Sequence, residues 1–274
     1  VDRLSLHLSA FGPAKVILLG EHGVVFGHAA LAAPLSRGVR AWGEPSRTCE
    51  LEMPEGLSKL QMQALERAFA AGAKAARHPK IRIHLESEVP VSMGLGSSAA
   101  LSVAVAKVLL GGSVAPAPQK VLRVAMAMER EFHGTPSGID HTTSALDSLI
   151  WFRKGQAKKI VSPKPLRLLV TLVGERSPAR EIIESFRTRA SRYKGRYNRV
   201  LGEIGRLADE GRRSIQKGEL EGLGDAMNVN HGLLCALGLS SESLDSMVYR
   251  LRSMGALGAK ITGAGGDGGA VIGL

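Results

Sequence analysis

The sharpest chemical signal in the chain is Pro90-Val91-Ser92-Met93-Gly94-Leu95-Gly96-Ser97-Ser98-Ala99-Ala100, which runs straight into an apolar helical pattern. Glycines let the backbone approach an anion closely, and a helix start adds unpaired N–H groups and the positive end of a dipole. Ser97 and Ser98 can cap that helix, and their hydroxyls can also reach a phosphate or a metal bound to one. The lesser alternative is an ordinary strand-to-helix turn with a serine cap. Neither GxxxxGK[ST] nor a full GxGxxG is present here, so P-loop and dinucleotide-fold readings fail at this segment.

A second glycine run, Gly263-Ala264-Gly265-Gly266-Asp267-Gly268, does spell GxGxxG. It follows one strand pattern and precedes another, whereas a dinucleotide site needs a helix to open there. What remains is a tight hairpin, or a loop pressed against a second loop or a phosphate. The third segment, Lys15 to His22 (KVILLGEH), ends a strand pattern and says little alone, since a lysine beside a strand is usually a surface residue. Two carboxylates complete the set. Glu129 falls near a helix end, where it is either a solvated residue or, being slightly misplaced in the helix dipole, a functional one. Asp140 closes the polar loop His133–Asp140 and reads either as a helix N-cap or as a chemical group.

These residues need elements to hold them. Phe11–Leu19 reads as a strand, with shorter extended pieces at Ala29–Leu35 and Gly38–Trp42. Leu57–Arg77 has helical periodicity, and Lys80–Glu86 alternates as a half-buried strand. Helices are expected over Ala99–Leu110 and Gln119–Phe132, and a strand pair over Leu149–Val161. Ser162-Pro163-Lys164-Pro165 is the linker candidate, because two prolines in four residues break helix and ladder alike. It divides the chain into an N-terminal domain, 1–163, and a C-terminal domain, 164–274. Past it the pattern predicts a strand at Leu166–Val173 and helix over Ala179–Lys217 with a break near Gly195. Helices follow at Glu219–Leu237 and Ser241–Met254, then strands at Ala259–Thr262 and Ala270–Ile272.

Composition excludes several function classes. With 274 residues, 44% hydrophobic and 22% charged, the chain has apolar surface for a sizeable core and is not a disordered tail. Two cysteines, Cys49 and Cys235, without a CxxC, exclude a disulfide framework and a cysteine-rich zinc site. The start Val1–Ser5 lacks a signal-peptide layout, and apolar stretches are short or interrupted, so a cytoplasmic protein is expected. The net charge of +11 suits anionic partners. Between Arg176 and Lys217 stand twelve Lys or Arg against five Asp or Glu. That stretch reads as a solvated basic face. Only Tyr193 and Tyr197 could stack on bases there, so no nucleic-acid partner is expected.

Taken in order, the segments resemble the GHMP kinase superfamily, most closely its mevalonate kinase branch. The first motif stands as Lys15–Gly27 (KVILLGEHGVVFG), the second as Pro90–Ala100, the third as Gly258–Gly268 (GAKITGAGGDG). His133–Asp140 (HGTPSGID) and Asn230–Leu234 with Leu237–Ser240 match that branch as well. The resemblance spans Ala10–Gly269. It implies an α/β (α+β) two-domain fold, with an N-terminal domain like ribosomal protein S5 domain 2 and a ferredoxin-like C-terminal domain. It implies transfer of the ATP γ-phosphate to the 5-hydroxyl of mevalonate, with Mg²⁺. Gly94, Leu95, Gly96, Ser97, Ser98, Ala99, Gly263, Gly265 and Gly266 would then contact the nucleotide. Ser98 and Glu129 would hold the metal, Asp140 would take the hydroxyl proton beside Lys15, and Glu21, His22 and Arg176 would meet the substrate. Other GHMP kinases, a phosphomevalonate, mevalonate-3 or sugar kinase, are the alternative, then a catalytically silent relative that binds nucleic acid. The resemblance leaves a homodimer open.

Overall fold

The computed structural model describes residues 8–111, 116–174 and 179–274. The chain forms two compact units, each drawing on several stretches of sequence: Val1–Ala14, Leu35–Val91 and Ser97–Asp147 in the first, Lys15–Pro34, Ser92–Gly96 and Ser148–Leu274 in the second. Strands β1 (Leu8–Leu19) and β2 (Ala30–Pro45) each contribute to both.

In the first unit, the latter half of β2 lies antiparallel to β4 (Ile81–Ser87), with Ala41 opposite Leu85, and β3 (Cys49–Leu51) runs parallel to β4. Four helices accompany these strands: α1 (Lys59–Ala75), α2 (Ser97–Leu109), α3 (Pro118–His133) and α4 (Ile139–Leu146). Helix α1 begins where Ser58 and Gln61 cap each other reciprocally. It buries Leu65, Ala68, Phe69, Gly72 and Ala73, the one-sided spacing of an amphipathic helix. Helix α2 is built of Ala, Val and Leu with few polar residues, and it is buried nearly all round. Gly12 permits β1 to lie against α2, because a Cβ there would overlap the Ala100 carbonyl. The resulting core gathers Val103, Val105, Val108, Val124 and Met128 with Ile83 and Phe69.

In the second unit, the first half of β2 pairs antiparallel with β5 (Ile150–Arg153), which turns through Lys154-Gly155 into β6 (Gln156–Lys159). Both turn residues have positive φ, 48° and 79°, as a two-residue hairpin of this kind demands. A separate antiparallel sheet has the order β7 (Leu169–Val173), β9 (Gly269–Gly273), β8 (Ala259–Thr262). It is joined by α5 (Ala179–Arg192), α6 (Lys194–Lys217), α7 (Leu220–Ala236) and α8 (Glu242–Ser253). Phe186, Leu201, Ile204, Leu234, Leu244 and Val271 centre this second core.

Three local readings need correction. The extended pieces around Pro34 to Gly38 are one strand, β2. Gly38 keeps it continuous by packing against the backbone of Gly12 and Pro13, where any Cβ would clash. Ser97 and Ser98 lie inside the first turn of α2 and are not caps before it. The helical break falls at Tyr193, where φ −118° and ψ 44° leave the helical region, and Gly195 is already inside α6. Among the described residues, no helix is long and apolar enough to cross a membrane.

Candidate active site

In the second unit the first motif, the Ser92–Gly96 loop and the third motif meet. The Lys15 backbone N–H donates to the Leu95 carbonyl at 2.9 Å, and its ammonium lies 3.3 Å from the Gly94 carbonyl. Lys15 is only 2% exposed, so it is not the surface lysine that a strand flank suggests. Its alkyl stem fills the space where Gly96 lacks a side chain. Thr262, at the end of β8, accepts from the Ile17 N–H at 2.9 Å and donates to the Ile17 carbonyl at 3.1 Å. The glycine loops then touch. A Cβ on Gly94 would sit 2.8 Å from the Thr262 carbonyl, and one on Gly263 would sit 2.7 Å from the Gly94 Cα. Both glycines have positive φ, 83° and 84°. The loop at Gly263–Gly268 is therefore a hairpin and also a partner pressed against a second loop. Gly265 and Gly266 continue it, with the Gly266 N–H on the Leu239 carbonyl at 3.1 Å.

Glu21 and His22 brace this arrangement. The Glu21 carboxylate is bonded to the Lys260 ammonium and accepts from the Asn230 amide at 3.2 Å, all three side chains being buried. Burial pushes the Glu21 carboxyl up and the Lys260 ammonium down, while their mutual attraction resists both. With each oxygen engaged by a protein group, Glu21 braces the strand end. His22 Nε2 lies 2.9 Å from the Ala264 carbonyl. A carbonyl only accepts, so Nε2 carries the proton. Burial lowers the His22 imidazole to about 4, and its ring meets Phe186 edge-on at 4.9 Å. In this conformation its one donor holds the third glycine loop, so a substrate carboxylate would require the ring to turn. Arg176 lies outside the described residues.

The first unit carries the remaining candidates. Gly96 leads directly into α2, whose first residues are Ser97, Ser98 and the buried Ala99. Glu129, one turn from the end of α3, is 1% exposed, which overturns its reading as a solvated residue. It accepts from the Ser102 hydroxyl at 3.2 Å, one helical turn along α2 from Ser98. His133 links the two helices, with Nε2 at 2.9 Å from the Ser98 hydroxyl and 3.9 Å from Glu129 Oε2. His133 was not among the expected site residues. Its signal was the four-residue spacing from Glu129, which puts both on one helix face. Asp140 lies in the first turn of α4, and Gly138, with φ 95°, occupies the cap position, so the N-cap reading fails. Helix α4 packs against α2 and α3, the helices that carry Ser98 and Glu129.

A buried carboxylate and a serine hydroxyl are hard oxygen donors, the type Mg²⁺ takes beside phosphates and water. Loops of positive-φ glycines, a buried lysine and a helix start suit a polyphosphate.

Comparison with known proteins agrees. The family described as GHMP kinases N terminal domain matches residues 61–148, and that described as GHMP kinases C terminal matches residues 212–274. Mevalonate kinase of Thermococcus sibiricus is 31% identical over 293 residues, covering 96% of this chain and 88% of the relative. Mevalonate kinase of Aeropyrum pernix is 36% identical over 284 residues, covering 97% and 87%. The crystal structure of L. major mevalonate kinase in complex with R-mevalonate superposes with a TM-score of 0.80 at 25% identity, covering 98% of this chain and 89% of that one. The chain has the two-domain GHMP kinase fold, and it belongs to the mevalonate kinase family.

Proposed function

We propose that the chain transfers the γ-phosphoryl group of ATP to the 5-hydroxyl of mevalonate, giving 5-phosphomevalonate. The observation that carries this reading is the meeting of three glycine-bearing motifs around the buried Lys15. Phosphoryl transfer asks for little covalent chemistry from the protein; it asks for a held triphosphate, charge neutralisation and a directed hydroxyl.

Gly94, Leu95 and Gly96 cradle the phosphates, with Ser97, Ser98 and Ala99 at the helix start. Gly263 lies against Gly94, and Gly265 and Gly266 extend that loop as further phosphate contacts. Ser98 and Glu129 hold Mg²⁺, which when bound neutralises charge on the phosphate oxygens. In this reading His133 orients the Ser98 hydroxyl. Asp140 accepts or directs the proton of the mevalonate hydroxyl, and Lys15 is the second catalytic residue. His22, with its ring turned, and Arg176 meet the mevalonate carboxylate. The boundary between the domains lies at 163/164, a reading supported by the two family matches falling on either side of it. Two free cysteines support a reducing compartment, taken to be the cytoplasm.

The test is incubation with ATP, Mg²⁺ and mevalonate, with the product identified by mass and the phosphate position by its NMR coupling to the C5 methylene protons, beside phosphomevalonate and a panel of sugars. Phosphate on the mevalonate 5-oxygen is expected. Transfer to another panel member, with mevalonate untouched, would overturn the substrate.

A further inference from the structure

Away from the phosphate loops, three different metal-ligating side chains converge. His231 and Cys235 stand four residues apart on α7 and so share a face. Asp245 lies in the first turn of α8, which follows. His231 Nε2 is 3.2 Å from Asp245 Oδ1, and Cys235 Sγ is 3.5 Å from the same nitrogen and 3.4 Å from the same oxygen. A tetrahedral zinc-type ion, with sulfur at about 2.3 Å and nitrogen or oxygen at about 2.0–2.2 Å, spaces its donors about 3.3–3.6 Å apart. The triangle already has the dimensions of one face of that tetrahedron. We propose that His231, Cys235 and Asp245 form a binding site for a thiophilic divalent cation of the zinc class, with water in the fourth position.

The chemistry of the three groups suits this. Burial keeps His231 neutral, lowering its imidazole to about 4, so its ring offers a lone pair. The Cys235 thiol, pushed up to about 11 by burial and by Asp245, keeps its proton until the ion displaces it. The S–H bond breaks, a sulfur–metal bond forms and one proton leaves to water. Thiolate and carboxylate together balance a dication, so the loaded site is neutral, although exchanging one proton for a dication makes it one unit more positive than before, beside Lys260 and Arg252, whose charges act on His231. Ser240 donates to Asp245 Oδ1 at 2.5 Å and so holds that oxygen in place. Cys235 is half-buried and Asp245 is exposed, which gives an ion a way in.

The location has a consequence for the kinase. The chain between α7 and α8 props up the third glycine loop. Leu239 accepts from Gly266, and the hydroxyls of Ser241 and Ser243 each donate to the Asp267 carbonyl at 3.2 Å. An ion bridging His231, Cys235 and Asp245 would tie both ends of this prop together.

The probe is Co²⁺ alone, added to the chelator-stripped chain. Expected are the intense visible bands of a tetrahedral site and a near-ultraviolet thiolate-to-cobalt band, at one ion per chain. Cys235→Ser should abolish the near-ultraviolet band, Asp245→Asn should weaken binding, and Cys49→Ser should change neither. Zn²⁺ should displace Co²⁺ and raise the Tm of the parent but not of Cys235→Ser. Oxygen-only binding at Ser98 and Glu129 gives no thiolate band, so the two sites are distinguishable. In the parent chain, Zn²⁺ should also slow alkylation of Cys235 but not of Cys49, a readout independent of any variant. Absence of the thiolate band, its survival in Cys235→Ser, or equal alkylation with and without Zn²⁺ would overturn the site.

Discussion

Asp140 and Glu129 make different demands on their surroundings, and their amide variants separate the roles. Asp140 lies past the cap position of α4, so Asp140→Asn leaves the cap intact and removes a favourable charge from the first turn, worth about 0.3–1 kcal/mol. If the carboxylate directs the hydroxyl proton, kcat falls by about 10²–10⁴, or about 3–5 kcal/mol of transition-state stabilisation. The expected result is a heavy loss of kcat with ATP binding nearly unchanged. Near-normal turnover would remove Asp140 from the chemistry. Glu129→Gln keeps the shape and an acceptor for Ser102 but deletes the charge. The Mg²⁺ concentration for half-maximal activity should rise strongly while circular dichroism stays that of the parent. A Mg²⁺ response equal to the parent's would detach Glu129 from the metal. The chemical identity of both residues was legible from the motifs, but their burial was not. Glu129 is buried because Ser102, from a helix 27 residues earlier, closes over it, and no local pattern encodes that contact.

Between elements, the decisive contact is loop against loop. Gly94 and Gly155 both have positive φ, 83° and 79°, so alanine is strained at either, by about 1–2 kcal/mol. Only Gly94 adds a backbone neighbour, the Thr262 carbonyl, whereas a Cβ on Gly155 meets open space. Gly94→Ala should therefore lower the urea midpoint more than Gly155→Ala and should also raise the KM for ATP. Equal losses, with ATP kinetics untouched, would mean that the two glycine loops do not touch. This contact was half legible. Glycine runs announce a close backbone approach without naming the partner, and here the partner is some 170 residues away. Boundaries of the amphipathic helices came within two residues, as at α1, because a buried stripe repeats every turn. The continuity of β2 was hidden because Pro34, Ser36 and Gly38 look like punctuation until Gly12 comes to lie against Gly38.

At the scale of the whole molecule, buried histidines set the response to acid. His22, His141 and His231 are all buried, and desolvation lowers each imidazole to about 4 from an ordinary 6.5. The direction of the effect follows from proton counting. As pH drops below 6.5, the unfolded chain takes up protons at these positions that the folded chain refuses, so the unfolded state gains. Their contribution is fully present above pH 6.5 and drains away as pH falls through about 4. Ordinary carboxylates join only near the bottom of that window, at about pH 4–4.5, and Glu21, pushed up by burial, acts in the opposite sense, so the histidine share is read from the difference a histidine substitution makes. The urea midpoint should be level from pH 8 to 7 and then decline steadily between about 6.5 and 5. His141 is the residue to change, because its Nδ1 has no hydrogen-bond partner and a substitution there breaks none. His141→Gln should make the decline shallower, by the one proton it no longer takes up on unfolding. A midpoint that stays level down to pH 5 would mean that these imidazoles titrate alike in both states, and the neutral rings would have to be given up.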